Sequence, residues 1–148
     1  MPDSNSDYDY SRGIVRCISR LERHRRKYIN ENLKDSDMKG SMFMALLYLS
    51  HSQGASQDNL CNELIIDKGN AARLCKMLED NGYIVREQSP LDRRQNMLFL
   101  TEKGKEQIPR IRKYLHDWAR TATDGLTQEE LDTLTALLEK MRNNIESL

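Results

Sequence analysis

Along most of this chain apolar residues return every three or four positions, and once, after Asn81-Gly82, that rhythm gives way to two short apolar runs divided by turn residues. A period near 3.6 marks helices with one covered stripe, and the interruption marks a β-hairpin set among them. A chain with that order is expected to fold as a mainly α (α+β) domain with one hairpin beside its helices. Its 148 residues suffice for a single domain, residues 1–148, with a core of its own.

The first helix carries Ile14, Cys17, Ile18, Leu21, Tyr28, Ile29 and Leu33 as an inward stripe, and arginines crowd its other face. A second helix is expected after an Asp35-Ser36 cap, where Met38, Met42, Phe43, Ala45, Leu46, Leu47 and Leu49 make it apolar almost all round, as in a buried central helix. Gly54 ends it. Ser56 is placed to cap a short third helix with Leu60, Cys61 and Leu64 inward, and Asp67 to cap a fourth that stops at Asn81-Gly82. Tyr83-Ile84-Val85 and Met97-Leu98-Phe99-Leu100 read as the hairpin strands, with Ser89-Pro90-Leu91-Asp92 as turn chemistry.

Thr101 can cap a fifth helix bearing Ile108, Ile111, Leu115, Trp118 and Ala122, which Pro109 is expected to bend. The last helix has the clearest start, because Thr127 and Glu130 spell a capping box with Leu126 and Leu131 as its hydrophobic staple. Along it Leu131, Leu134, Leu138, Met141, Ile145 and Leu148 form a narrow seam like that of a coiled coil. A partner chain is the preferred cover for that seam; the first or fifth helix of the same chain is the alternative.

The 23 basic and 23 acidic residues cancel, so distribution matters more than the sum. Residues 68–105 hold eight Lys or Arg against five Asp or Glu, while the stretch around Asp124, Glu129, Glu130 and Asp132 is acidic. No apolar run approaches the roughly 20 residues of a membrane helix, and Met1-Pro2-Asp3-Ser4 opens without the basic and apolar regions of a signal peptide. The expectation is a cytoplasmic protein with no membrane partner.

Cys17, Cys61 and Cys75 are too widely spaced for a disulfide framework or a metal knuckle, and His24, His51 and His116 stand singly. Nor does any nucleophile elbow, phosphate-cradling glycine loop or paired-carboxylate motif appear. The reading is therefore of a chain that is no enzyme and needs no metal or cofactor.

Helix, helix, helix, hairpin is the order of a winged helix-turn-helix, and the phase of the fourth helix suits that role. At about 100° per residue, Ala71, Leu74, Cys75 and Leu78 fall on one side and Gly69, Ala72, Arg73 and Lys76 on the other. The small Gly69 and Ala72 would let a groove wall approach, Arg73 would read a guanine edge and Lys76 would meet phosphate. Free amides at the helix start, around Lys68, Gly69 and Asn70, favour phosphate too, and Ser56 and Gln57 complete the candidate DNA-contacting set. Arg93 and Arg94 at the hairpin tip suit a narrow minor groove, with Asp92 bracing one guanidinium. Solvated charges and a salt-bridged turn are the plainer alternatives for these residues.

Leu60 to Gly104 resembles the DNA-binding lobe of the MarR family, most clearly in Asp67-Lys68, Arg73, Leu78-Glu79, Asn81-Gly82-Tyr83-Ile84, Asp92-Arg93-Arg94 and Leu100-Thr101-Glu102-Lys103-Gly104. Gly69-Asn70-Ala71-Ala72 departs from it by lacking the hydroxyl residues that many relatives carry there. The resemblance implies a homodimer bound to a pseudo-palindromic operator in double-stranded DNA, with a lobe over residues 36–101 and dimerisation helices over 8–33 and 102–148. It also implies base reading by Arg73, a wing served by Arg94 and Arg93, and repression relieved by a small apolar or phenolic effector. Arg16, Arg20, His24, Met38 and Met42 lie on elements able to line an effector pocket, although a methionine-bearing face is as readily core. Two alternatives stand beside this reading: a winged-helix module that binds protein instead of DNA, and a redox-sensing regulator using Cys17, whose neighbours Arg16 and Arg20 would favour the thiolate.

Overall fold

The computed structural model describes residues 4–148, with side chains from Ser11 onward; Met1-Pro2-Asp3, which open the N-terminus read above, lie outside the described residues. The order is α1 (Ser4–Asn32), a 3-10 turn (Lys34–Ser36), α2 (Met42–His51), β1 (Ala55–Ser56), α3 (Gln57–Leu64), α4 (Lys68–Asp80), β2 (Ile84–Gln88), β3 (Asn96–Leu100), α5 (Glu102–Ala122) and α6 (Gln128–Glu146). The chain divides into two compact units, one reaching Leu115 and one from His116 to Leu148.

In the first unit the helix starts are set by side chains that satisfy free backbone amides. Ser56 and Asn59 form a reciprocal capping box on α3, and the Asp67 carboxylate accepts the Asn70 amide at the start of α4. Thr101 accepts the Gly104 amide at the start of α5 and donates its own hydroxyl to the Gly82 carbonyl. The antiparallel sheet has the order β1-β3-β2, with Ile84 opposite Leu100, Arg86 opposite Leu98, and Ala55 also opposite Leu98. The core joins Ile29 of α1 and Leu33 just beyond it, Phe43, Leu46 and Leu49 of α2, Leu60 of α3, Leu74 and Leu78 of α4, Tyr83, Ile84 and Leu98 around the hairpin, and Ile108 and Ile111 of α5.

Three expectations about these elements need correction or completion. The second helix does not follow Asp35-Ser36, because Asp37 and Gly40 take left-handed backbone angles and the helix begins only after Ser41. Met38 is buried all the same, held in the connecting turn. Strand β1 left no periodic signal: two residues are too few, and it exists because Gly54 and Ala55 meet Leu98 across the sheet. The inward stripe of α1 is inward only at its end, where Ile29 and Leu33 are buried, while Ile14 is 46% and Leu21 51% exposed and Cys17 lies exposed between them. With 29 residues, α1 is about 44 Å long and outruns the lobe against which its last turns pack.

In the second unit, Thr127 accepts the Glu130 amide at 3.2 Å and Glu130 accepts the Thr127 amide at 2.9 Å, the reciprocal start read from the sequence. No residue of α6 is buried, and Leu134, Leu138 and Ile145 of its seam are all exposed. No helix among the described residues is long and apolar enough to cross a membrane, and none of their His, Cys, Asp and Glu side chains gather as a metal site.

Candidate nucleic-acid interface

Helix α4 separates its faces as helical geometry requires. Ala71, Leu74, Cys75 and Leu78 are buried, and burial pushes the Cys75 thiol up from its ordinary range. Gly69, Asn70, Ala72, Arg73 and Lys76 are exposed on the other side. Arg73 is not free to wander: its Nη2 donates to Asn70 Oδ1 at 2.6 Å, and Asn70 in turn donates its amide to Asp67 Oδ1 at 2.8 Å. The cap therefore aims the arginine, a relay from Asp67 through Asn70 that spacing alone does not reveal. These bonds hold the Asp67 carboxyl below the usual carboxylate range, the Asn70 backbone amide being the largest cause. Lys76 lies 3.2 Å from Asp80, so part of its charge is already answered.

The start of α3 faces the turn of the wing and the beginning of β3. Ser56, Gln57 and Asp58 line a hollow of about 160 Å³ together with Arg94, Gln95 and Asn96. Lys68 at the start of α4 reaches Asp58 of α3 at 3.9 Å. Ser56, Gln57 and Arg94 are thus brought together, and Lys68 is linked to the same corner through Asp58. Gln57 also accepts from Arg86 at 3.5 Å, and Arg86 pairs with Glu79 of α4 at 2.8 Å, which ties β2 to both helices. Neither Arg86 nor Asp58 was selected from the sequence; Arg86 sits mid-strand, where alternation marks a face without naming what it meets.

Arg93 and Arg94 are exposed at the hairpin tip. Asp92 does not brace a guanidinium as expected. Its Oδ1 instead accepts the Arg94 backbone amide at 2.9 Å, closing the turn and leaving the arginine side chain to project. The turn-forming use wins because an Asp two residues before an amide reaches it without ordering a long side chain.

The residues considered for an effector pocket do not converge. Met38 and Met42 are buried in the core, and Arg16, Arg20 and His24 are exposed along α1. A groove of about 510 Å³ opens elsewhere, walled by Phe43, Met44, Leu47, Tyr48, Leu64 and Leu115 and edged by Arg25, His51 and Glu63. On α2 the apolar residues that line it were indistinguishable from core in the sequence, because that helix is apolar on most sides.

A helical lobe whose third helix carries an exposed basic face beside a basic hairpin tip is a winged helix-turn-helix. The model of the MarR family matches residues 36–95. An uncharacterised HTH-type transcriptional regulator of Bacillus subtilis, YybA, is 32% identical over 90% of this chain and 89% of its own. A MarR transcriptional regulator from Methanosarcina mazei superposes with a TM-score of 0.85 at 29% identity, over 93% of this chain and 99% of that one. A MarR-family regulator from Listeria monocytogenes, solved in complex with a 26mer DNA, superposes with a TM-score of 0.83 at 31% identity, over 88% and 87%. This chain belongs to the MarR family of transcriptional regulators.

Proposed function

We propose that the protein is a cytoplasmic homodimer that binds a pseudo-palindromic operator in double-stranded DNA, represses from it, and is released by a small apolar or phenolic effector. The observation that carries the DNA reading is the corner where α3 begins: Arg94 of the wing shares a hollow with Ser56 and Gln57, and Lys68 of α4 is held to Asp58 beside them. Two cations from different elements flank one set of helix starts, which suits a phosphate backbone running past them. Arg73, aimed by Asn70, then reads a base edge in the major groove while Gly69 and Ala72 give clearance and Lys76 meets phosphate. Arg93 and Arg94 enter the neighbouring minor groove. The DNA structure of the Listeria relative supports the assignment.

Residues 36–101 are the DNA-binding lobe in this proposal, and residues 8–33 and 102–148 form the dimer. The exposed apolar residues Ile14, Ile18 and Leu21 of α1 and Leu134 and Leu138 of α6 support it, since such faces are ordinarily covered by a partner. The effector occupies the groove walled by Phe43, Leu47, Tyr48 and Leu64, whose aromatic lining and Arg25 rim suit an apolar ring with a polar substituent.

Selection of bound fragments from random duplex DNA tests the proposal. The expected product is an inverted repeat with half-sites about 10 base pairs apart, and binding that weakens steeply with salt. Recovery of no preferred sequence, with affinity indifferent to salt, would refute it and leave the protein-binding module.

A further inference from the structure

We propose that Tyr83 and Arg110 form a joint that fixes the separation of the two recognition helices in the dimer, and with it the half-site spacing the protein accepts. The proposal rests on the dimeric DNA-binding reading above.

Tyr83 lies three residues beyond the end of α4, and three hydrogen bonds and a cation–π contact hold it. Its amide donates to the Leu78 carbonyl at 2.9 Å, and its carbonyl accepts the Thr101 amide at 3.0 Å. Its buried ring carries Lys103 at 4.8 Å, and its hydroxyl donates to the Ser36 carbonyl in the turn after α1. Arg110 of α5 closes the other side: Nη1 donates to the Ser36 hydroxyl at 2.6 Å, and Nη2 reaches both Asp35 carboxylate oxygens at 2.8 Å. The end of α4, the 3-10 turn after α1 and α5 therefore meet at Ser36 through two side chains. The first turn of α5 is also pressed onto this point, because a Cβ at Gly104 would collide with the Tyr83 carbonyl oxygen.

Leverage gives the joint its consequence. The 13 residues of α4 span about 20 Å, so a tilt of about 10° at its Tyr83 end moves its other end by about 3.4 Å, the rise of one base pair. A dimer that distinguishes spacings by one base pair needs a joint stiffer than that. Tyr83 is buried, and Arg110 points to Asp35 and Ser36, so neither has to touch DNA to exert the effect.

The test uses the full chain and a set of duplexes carrying the wild-type half-sites at spacers varied one base pair at a time. Wild type should favour one spacer. Y83F, which keeps the ring and loses only the hydroxyl bond, and R110Q should each lower that preference about tenfold, the factor that 1.4 kcal/mol represents. R110K, keeping the charge without the fork, should fall between wild type and R110Q. Half-site base preference and sedimentation as a dimer should stay as in wild type. A variant that binds every spacer more weakly by one common factor, or keeps the wild-type spacer profile, overturns the joint and reduces these bonds to general stability. Should Y83F fail to fold, the R110K and R110Q profiles decide by the same criterion. If wild type selects no duplex, the DNA reading falls first and the joint with it.

Discussion

The winged lobe and the C-terminal helix α6 are built from the same kind of pattern, yet they end differently. In the lobe, leucines at three- and four-residue spacing are covered from several directions, so that Leu46, Leu60 and Leu78 have no exposed surface. In α6, Leu134 and Leu138 follow the same spacing and each remains 44% exposed. Periodicity states which face of a helix needs cover; only the neighbours supply it. The leucines of the lobe are covered by one another and by residues of α1 and α5, and α6 carries an unanswered apolar seam.

The largest effect that would break this contrast belongs to the lobe. Leu46→Ala should cost about 2–5 kcal/mol of unfolding free energy by chemical denaturation, since a fully buried leucine leaves a cavity. The paired change Leu134→Glu and Leu138→Glu should leave the lobe's far- and near-UV dichroism intact and weaken the dimer by about 2 kcal/mol or more, read by sedimentation at graded concentration. An unchanged dimer would place the contact on another face.

Arg73→Ala should weaken specific DNA binding by about 1–3 kcal/mol and relax discrimination at one position of the half-site, whereas an equal loss on all sequences would contradict base reading. In the turn between α3 and α4, Ile65 holds a left-handed φ of 53° although its side chain is 90% exposed. Ile65→Gly should therefore raise the lobe's stability by up to about 1 kcal/mol in the same denaturation assay, without altering the dimer.

The smallest change is that of Asp67. Its carboxyl titrates lower when folded than when unfolded, so the support it gives α4 is complete above the ordinary carboxylate range and is lost as pH falls through the folded value. The Asn70 amide resonance should report that loss in acid, and Asp67→Asn should abolish its pH dependence while keeping a cap.

Much of this was legible in the chain itself. The caps at Ser56, Asp67 and Thr127 and the stop at Asn81-Gly82 act within one helical turn, so their residue types are enough to place them. The same locality made the exposed face of α4 readable, because the helix phase is fixed by a handful of neighbours. Asp92 was misread for a related reason: its side chain had a partner two residues away in the backbone, and the longer reach to an arginine was not needed.

What the sequence determined, then, was the order of elements, the ends of most helices and the phase of each stripe, all of which depend on interactions a few residues apart. Tertiary structure alone decided that β1 exists, that Ile14, Cys17 and Leu21 of α1 lie exposed, that Asn70 aims Arg73, and that Tyr83 and Arg110 meet at Ser36. Except for the Asn70 bond, these depend on which distant segments come close, up to 75 residues apart for Arg110 and Asp35, and no local spacing encodes a distance of that kind.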